Sequence, residues 1–273
     1  MAFITQVLNG LQLGSIYALV ALGYTMVYGI ILLLNFAHGD IIMVGAYISW
    51  LVMSKLGLNP AIAVVLSIVG CMLLGVLIDK VAYAPLRDAP RLSILITAIG
   101  VSYFLENGSQ LLFGADAKVV PAYTSVSNIQ VGDLTLSFLA IVTVVVTAVA
   151  TVVLTFLVQL RLGFKVNQRV NTTISFTFAV GSALAGIGAV LYCIAYTQAS
   201  PTMGIMLGTK AFVAAVLGGI GSIPGAVIGG LLVGFAEVFV SAIGLSVWQD
   251  AVVFLLLIVK PTGLLGRPMT EKV

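Results

Sequence analysis

The chain has 273 residues, of which 61% are hydrophobic and only 8% are charged. Soluble domains carry roughly a quarter charged residues, so this chain cannot cover a water-facing surface. Its net charge of +3 comes from basic residues spread over separate short loops, which argues against a nucleic-acid surface and is typical of topology signals. The composition predicts an all-α fold, a polytopic transmembrane helix bundle embedded in a lipid bilayer.

Apolar segments follow one another along the whole chain and predict eight or nine spanning or partly spanning helices. We expect them to form a single transmembrane domain over residues 1–273. No basic residue precedes the first segment, and it is too long for the apolar region of a cleavable signal peptide. The predicted segments are 7–33, 41–54, 60–79, 93–113, 136–158, 174–195, 209–220, 225–244 and 248–260.

A polar knot, residues 35–40, separates the first two apolar segments: Asn35, Phe36, Ala37, His38, Gly39 and Asp40. Lipid does not tolerate such a group unless protein or water surrounds it. The next segment, 41–54, covers roughly 21 Å as a helix, whereas the hydrocarbon core is about 30 Å thick. Either the knot is buried at membrane depth and lines a route, or it caps two helices at the cytoplasmic surface.

The distribution of charge predicts the topology. Three basic stretches, 79–91, 161–169 and 260–272, should be cytoplasmic by the positive-inside rule. Two loops poor in positive charge, 114–135 and 196–208, should lie outside. The C-terminus is then cytoplasmic and the N-terminus outside.

Carboxylates interrupt two of the apolar segments. Ser102, Glu106 and Ser109 share one helix face by their spacing, so Glu106 either faces a water-filled path or lies hydrated or paired near the outer end. Glu237 has the same two interpretations. Elsewhere, a stripe of Gly14 and tyrosines in the first segment favours a helix–helix seam over a polar lining.

Glycines dominate residues 218–234, where Gly221, Gly225 and Gly229 recur four residues apart. This spacing creates a smooth helix face and predicts a tightly packed hairpin with its turn near Pro224. The alternative is a broken helix that lines a substrate path.

Catalysis and metal binding find little support. His38 is the only histidine, and no serine lies in a Gly-x-Ser-x-Gly motif. Cys71 and Cys193 lie in apolar segments without metal-ligand or redox spacing, which indicates two buried small residues. We expect no enzyme activity, no metal site and no cofactor.

Several strings of the sequence together resemble the permease subunits of bacterial branched-chain amino-acid ABC importers. They occur in the same order as in that family and cover nearly the whole chain. The strings are Asn9–Leu11, Gly14–Leu19, Ala21–Gly23, Leu34–Asp40, Gly45–Tyr47, Tyr83–Arg87, Ala89–Leu92, Ile96–Ser102, Ser200–Gly204, Lys210–Ala226 and Lys260–Gly266.

The resemblance implies a multi-pass protein of the bacterial inner membrane that forms one half of a translocation path. It implies as partners a second permease subunit, identical or homologous, two cytoplasmic ATPase subunits and a periplasmic or lipid-anchored substrate-binding protein. Related permeases carry urea, short amides or sugars, so a permease for another small solute is an alternative. A self-sufficient secondary transporter is the other, although it would need its own coupling-ion site.

Specific residues follow from these arguments. We expect Asn35, His38, Asp40 and Glu106 to line the translocation path. Cytoplasmic contact with the ATPase is expected from basic loop residues, namely Arg87, Arg91, Arg161 and Arg169. The chain departs from the family in a short loop at 161–169 and a short last segment, which leaves 80–92 as the main cytoplasmic contact.

Overall fold

A computed structural model describes residues 2–31, 35–121, 129–131, 134–163, 170–259 and 263–266. Every predicted apolar segment contains a helix, so the all-α prediction is confirmed. In the described residues the helices are α1 (Ala2–Ile31), α2 (His38–Trp50), α3 (Pro60–Ile78), α4 (Arg91–Phe113), α5 (Phe138–Gly163), α6 (Val170–Tyr196), α7 (Met203–Gly218), α8 (Ile223–Ala242) and α9 (Gln249–Val259).

Irregular helical turns extend several of these helices. A π-helical turn, Leu51–Lys55, continues α2, and Asp79–Tyr83 with a 3-10 turn at Ala84–Leu86 continues α3. A further 3-10 turn, Ser246–Trp248, precedes α9. By length and composition, five stretches of the described chain can cross a membrane: Phe3–Ile30, Pro60–Leu86, Phe138–Val158, Asn171–Tyr196 and Ile223–Ala242.

Local sequence explains where the helices begin and end. Asn59 caps α3, because its Oδ1 accepts a hydrogen bond from the Ala61 N–H at 2.9 Å and Pro60 occupies the first helical position. Ser222 caps α8 through a bond from the Gly225 N–H at 3.2 Å. Before it, Gly219 has φ of +105°, a conformation that favours glycine, and turns the chain from α7 into α8.

Short strands occupy loops for which the sequence predicted no regular structure. Strand β1 (Lys118–Val119) pairs antiparallel with β4 (Gln198–Ala199), and β2 (Ile129–Val131) pairs antiparallel with β3 (Leu134–Leu136). The β1–β4 pairing joins the two loops that charge distribution places outside, as loops on the same side of a membrane can.

The chain packs as two compact units. Unit 1 comprises Met1–Thr25, Asn128–Thr155 and Lys210–Val273, and unit 2 comprises Met26–Ser127 and Phe156–Thr209. The boundaries fall within α1, α5 and α7, so single helices contribute to both units. That residues 1–273 act as one transmembrane domain stays a prediction.

In unit 1 the glycines of α8 form a packing face. Gly229 contacts the Ala214 backbone of α7, Gly230 lies against Ala18 of α1, and Gly234 lies against Gly14. The structure therefore has the tightly packed hairpin, and the predicted α1 seam packs on it. Small residues allow this approach because they let two backbones come close.

In unit 2, α2, α3 and α6 share a core of small side chains. Ser67 of α3 donates a hydrogen bond to the Gly186 carbonyl of α6 at 3.1 Å and another to the Gly45 carbonyl of α2 at 3.3 Å. Cys71 and Cys193 are buried free thiols, as the sequence indicated. The opposite face of α3 exposes large apolar side chains suited to lipid, namely Val65, Val69, Leu73 and Leu77.

Candidate functional site

The polar knot of unit 2 is a buried turn that starts α2. Asn35, His38 and Asp40 are at most 3% exposed. The His38 N–H donates to the Asn35 carbonyl at 3.0 Å, and the Asp40 N–H donates to the Ala37 carbonyl at 3.1 Å. Because the Asp40 carboxylate lies in the first turn of α2, it faces the positive end of the helix dipole.

Contacts with α3 show how deep the knot lies in its unit. The Ile41 carbonyl at the start of α2 accepts a hydrogen bond from the Cys71 thiol at 3.4 Å, near the middle of the 27-residue apolar stretch Pro60–Leu86. The π-helical turn at the other end of α2 contacts β1, where the Ser54 hydroxyl donates to the Val119 carbonyl at 3.1 Å. Helix α2 with its π-helical turn therefore begins beside the middle of α3 and ends beside β1.

Asn35 lies towards the predicted cytoplasmic end of α3. Its Oδ1 accepts a hydrogen bond from the Tyr83 hydroxyl at 2.8 Å, and Tyr83 belongs to the irregular turn that ends this segment. The knot thus occupies the interior between mid-span and that end. Of the two predicted interpretations, this geometry favours burial at membrane depth over capping at the surface.

The knot also faces α4, which brings two predicted site residues together. The Ser102 side chain and the Glu106 carboxylate both lie near the Asp40 carboxylate. Glu106 is only 9% exposed. One turn further, the Ser109 hydroxyl donates to the Glu106 carbonyl at 2.8 Å and reaches the Met43 sulfur at 3.3 Å. The predicted polar face of α4 therefore packs on α2.

A second short helix begins beside the knot. Gly39 contacts the Gly204 backbone, in the first turn of α7, and lies close to Gly208. A β-carbon on Gly204 would lie 2.8 Å from the Gly39 carbonyl oxygen and 2.9 Å from Asp40 Oδ1. No side chain fits between the two helices at this point. The N-termini of α2 and α7 thus meet at the depth of the knot.

A separate polar cluster holds the predicted cytoplasmic end of unit 2. Arg87 donates to Asp79 Oδ1 at 2.7 Å and to Asn171 of α6, and Ser175 donates to the other Asp79 oxygen. Asp79 is fully buried, whereas the Arg87 side chain is 19% exposed. Arg87, predicted as an ATPase contact, is thus also an internal partner of Asp79.

The other predicted ATPase contacts are placed less fully. Arg91 begins α4, and Arg161 lies near the end of α5. Arg169 lies outside the described residues.

Unit 1 contains a charged cluster that sequence reasoning missed. Lys210 of α7 lies 2.7 Å from Glu237 Oε1 and 2.9 Å from Asp250 Oδ1, and the Tyr17 hydroxyl donates to Glu237 Oε2 at 2.7 Å. Glu237 is therefore paired, which was one of its two predicted interpretations. A lone lysine within the apolar run 203–218 was the available signal, because a cation there needs a partner.

The chain matches the family described as the branched-chain amino acid transport system permease component over residues 6–260. This chain belongs to that family. LivH of Escherichia coli K12, named a high-affinity branched-chain amino acid transport system permease protein, is 39% identical over 99% of this chain and 98% of its own length. BraD of Pseudomonas aeruginosa, which carries the same description, is 41% identical over the same shares. No solved structure matches significantly.

Family membership and the apolar helices together make this permease a multi-pass inner-membrane protein. Its relatives are named as transport permeases rather than enzymes.

The alignments extend over 301 positions, more than the 273 residues of this chain, so the relatives have stretches that it lacks. The short loop at 161–169 lies largely outside the described residues. In the described part, no group of three or more His, Cys, Asp or Glu could hold a metal ion.

Proposed function

We propose that this permease forms half of the translocation path of an ATP-binding-cassette importer for branched-chain or similar hydrophobic amino acids. The observation that carries the proposal is the near full-length match to permeases with that named role. A buried polar knot beside the apolar α3 segment supports it, since buried polar groups in a span mark substrate routes. Asn35, His38, Asp40 and Glu106 are the proposed lining.

The proposed complex contains a second permease, identical or homologous, two ATPase subunits and a substrate-binding protein outside the membrane. ATP-driven closure of the ATPases would press on the cytoplasmic loops and rock the two permeases against each other. The 84–90 segment receives this push, and the buried Asp79–Arg87 pair transmits it to α3 and α6, because it ties the segment to both helices. Specificity resides mainly in the binding protein, so the path itself binds substrate weakly.

Co-purification and reconstitution test this function. The permease, tagged and expressed from its native context, should bring down an ATPase and a second permease. Reconstituted in liposomes with the binding protein, the complex should accumulate labelled leucine only when ATP is supplied on the ATPase side. Uptake of urea, a short amide or a sugar instead of leucine would assign the alternative substrate. Leucine uptake by the single purified subunit, driven by an ion gradient, would contradict the proposal.

Variants of the knot provide a further check. His38→Ala and Asp40→Ala should impair uptake while the complex still assembles. Normal uptake in both would reduce the knot to structural capping of α2.

A further inference from the structure

In the part of the chain that the structure describes, the two carboxylates at the knot form no ion pair with a lysine or an arginine. Among the described residues, no Lys or Arg lies within ion-pair distance of Asp40 or Glu106; the ion pairs formed there join Arg87 to Asp79 and Lys210 to Glu237 and Asp250. Both residues are at most 9% exposed. Neighbouring buried carboxylates without a cation are electrostatically unfavourable, and a positive group placed between them would be strongly attracted.

Within the described residues, the side chains of Asp40 and Asn35 each have an atom without a hydrogen-bond partner. Within the described chain, Asp40 Oδ1 accepts no hydrogen bond and Asn35 Nδ2 donates none. A buried polar atom left in this state destabilises the fold unless it gains a partner. Asp40 Oδ1 faces the first turn of α7, because a β-carbon on Gly204 would lie 2.9 Å from it.

The first turn of α7 supplies the complementary charge. The first N–H groups of a helix have no partner within the helix, and its dipole favours an anion there. Discontinuous membrane helices place such ends at substrate carboxylates near mid-membrane. Here a helix N-terminus and an unpaired carboxylate oxygen lie side by side, which suits a ligand that carries both charges.

We propose that the meeting point of the α2 and α7 N-termini is a subsite for the zwitterionic head of an α-amino acid. Asp40 Oδ1 accepts from the α-ammonium group, with Glu106 adding negative potential. Asn35 Nδ2 and the N–H groups of the first α7 turn donate to the α-carboxylate. This inference rests on the proposed function and adds the residues that recognise the substrate in the path.

The contact between Gly39 and Gly204 leaves no space for a ligand, so the proposed subsite can be occupied only after the α7 terminus separates from α2. Asp40 Oδ1 then binds the ammonium group of the substrate, and Asn35 Nδ2 binds its carboxylate. The subsite would therefore bind an amino acid only transiently during transport.

The test uses the complete reconstituted complex with its binding protein. Asp40→Asn keeps the size of the side chain but removes the charge, and Asn35→Ala removes the amide. Each should reduce leucine uptake at least tenfold, while the yield of assembled complex stays within twofold of wild type. Asp116→Asn is the matched control for the loss of a carboxylate, because Asp116 is exposed in the loop after α4.

Tyr83→Phe separates recognition from structure, since it removes the bond to Asn35 Oδ1 and leaves Nδ2 intact. It should transport within twofold of wild type. If Tyr83→Phe is as defective as Asn35→Ala, the Asn35–Tyr83 bond is structural and the proposal fails. If Asp40→Asn does not assemble, Asn35→Ala with its Tyr83→Phe control decides the outcome.

Three results would overturn the subsite while leaving the proposed function in place. The first is that wild type takes up leucine and either Asp40→Asn or Asn35→Ala takes it up at the normal rate. Wild-type uptake that requires Na⁺ is another, because a metal cation would then hold the carboxylates. The third is equal loss of assembly and uptake in both variants. If wild type itself carries no amino acid, the proposed function fails first.

Discussion

At the scale of single residues, the buried Asp, Glu and Lys side chains of the described chain fall into two kinds. Asp79, Lys210 and Glu237 are paired with opposite charges at 2.7 Å, whereas Asp40 and Glu106 are not paired with Lys or Arg. A buried ion pair stabilises only marginally, but the loss of one partner leaves a costly charge. Paired groups are therefore expected to affect stability first, and unpaired groups to affect transport first.

Lys210→Met should destabilise the permease, because it leaves Glu237 and Asp250 without their shared cation. Removing one partner of a buried pair costs about 3–5 kcal/mol, and the expected readout is a lower Tm of the purified protein in detergent. Adding Glu237→Gln should restore part of the loss. The exposed Lys80 gives the matched control, Lys80→Met. Equal Tm values for Lys210→Met and Lys80→Met would show that the Lys210 cluster contributes nothing to stability.

Arg87→Ala distinguishes internal pairing from contact with an ATPase. If the pair with fully buried Asp79 matters, the isolated permease should melt at a lower temperature, and Arg87→Lys should lie between wild type and Arg87→Ala. An unchanged Tm combined with weaker ATPase binding would make Arg87 a contact residue only. Thermal unfolding without the partner and co-purification with it measure the two effects.

At the scale of elements, glycine spacing decides how closely helices approach. In unit 1, α8 packs through Gly230 and Gly234 on α1, and in unit 2, Gly39 and Gly204 bring α2 and α7 together. Without a strong hydrophobic driving force in lipid, such close packing is a principal source of helix association. Added side-chain volume at these positions should separate the helices.

Gly230→Ala should destabilise the α1–α8 contact, since its β-carbon would lie 2.5 Å from the Ala18 Cα and Ala18 belongs to a backbone that cannot yield cheaply. Lower folded yield and a lower Tm in detergent are expected. Gly100→Ala in α4 is the matched control, because a β-carbon there meets nothing within 4 Å. Its Tm should be unchanged or slightly raised, as alanine favours helix over glycine. Similar losses in both variants would contradict the packing argument.

At the scale of the whole molecule, the arrangement of loops follows the charge pattern. The β1–β4 pair joins two loops predicted outside, and the Arg87–Asn171 bond joins the basic 79–91 stretch to the start of α6. Each of these contacts lies within unit 2. These contacts join loops that the positive-inside rule predicts to lie on the same side of the membrane. Which side is cytoplasmic follows from the rule and not from the contacts.

Cysteine labelling tests the orientation. Asp116→Cys should react with a membrane-impermeant maleimide from outside the cell, whereas Asp88→Cys should react only after the membrane is opened, because positive loops stay cytoplasmic. Both positions are exposed, and the native Cys71 and Cys193 are buried, so wild type should give little background. Labelling of Asp88→Cys in intact cells would invert the topology.

Much of the architecture was predictable from composition and periodicity. Long apolar stretches must be helices in lipid, because every backbone group needs an internal partner there. Spacing also predicted the α8 glycine face and the α1 seam, since helical periodicity determines which residues share a face. The short strands were not predicted, because their pairing joins distant loops and leaves little local signal.

The sequence by itself determined that this chain is a membrane permease: its composition requires lipid, and its ordered strings match one family over nearly its full length. Only the tertiary structure decided which charges meet. It paired Lys210 with Glu237 and Asp250, placed Glu106 near Asp40, and buried the polar knot against Gly204 at the start of α7. Local periodicity gives the face of one helix, whereas the partner of a buried charge depends on how separate helices pack.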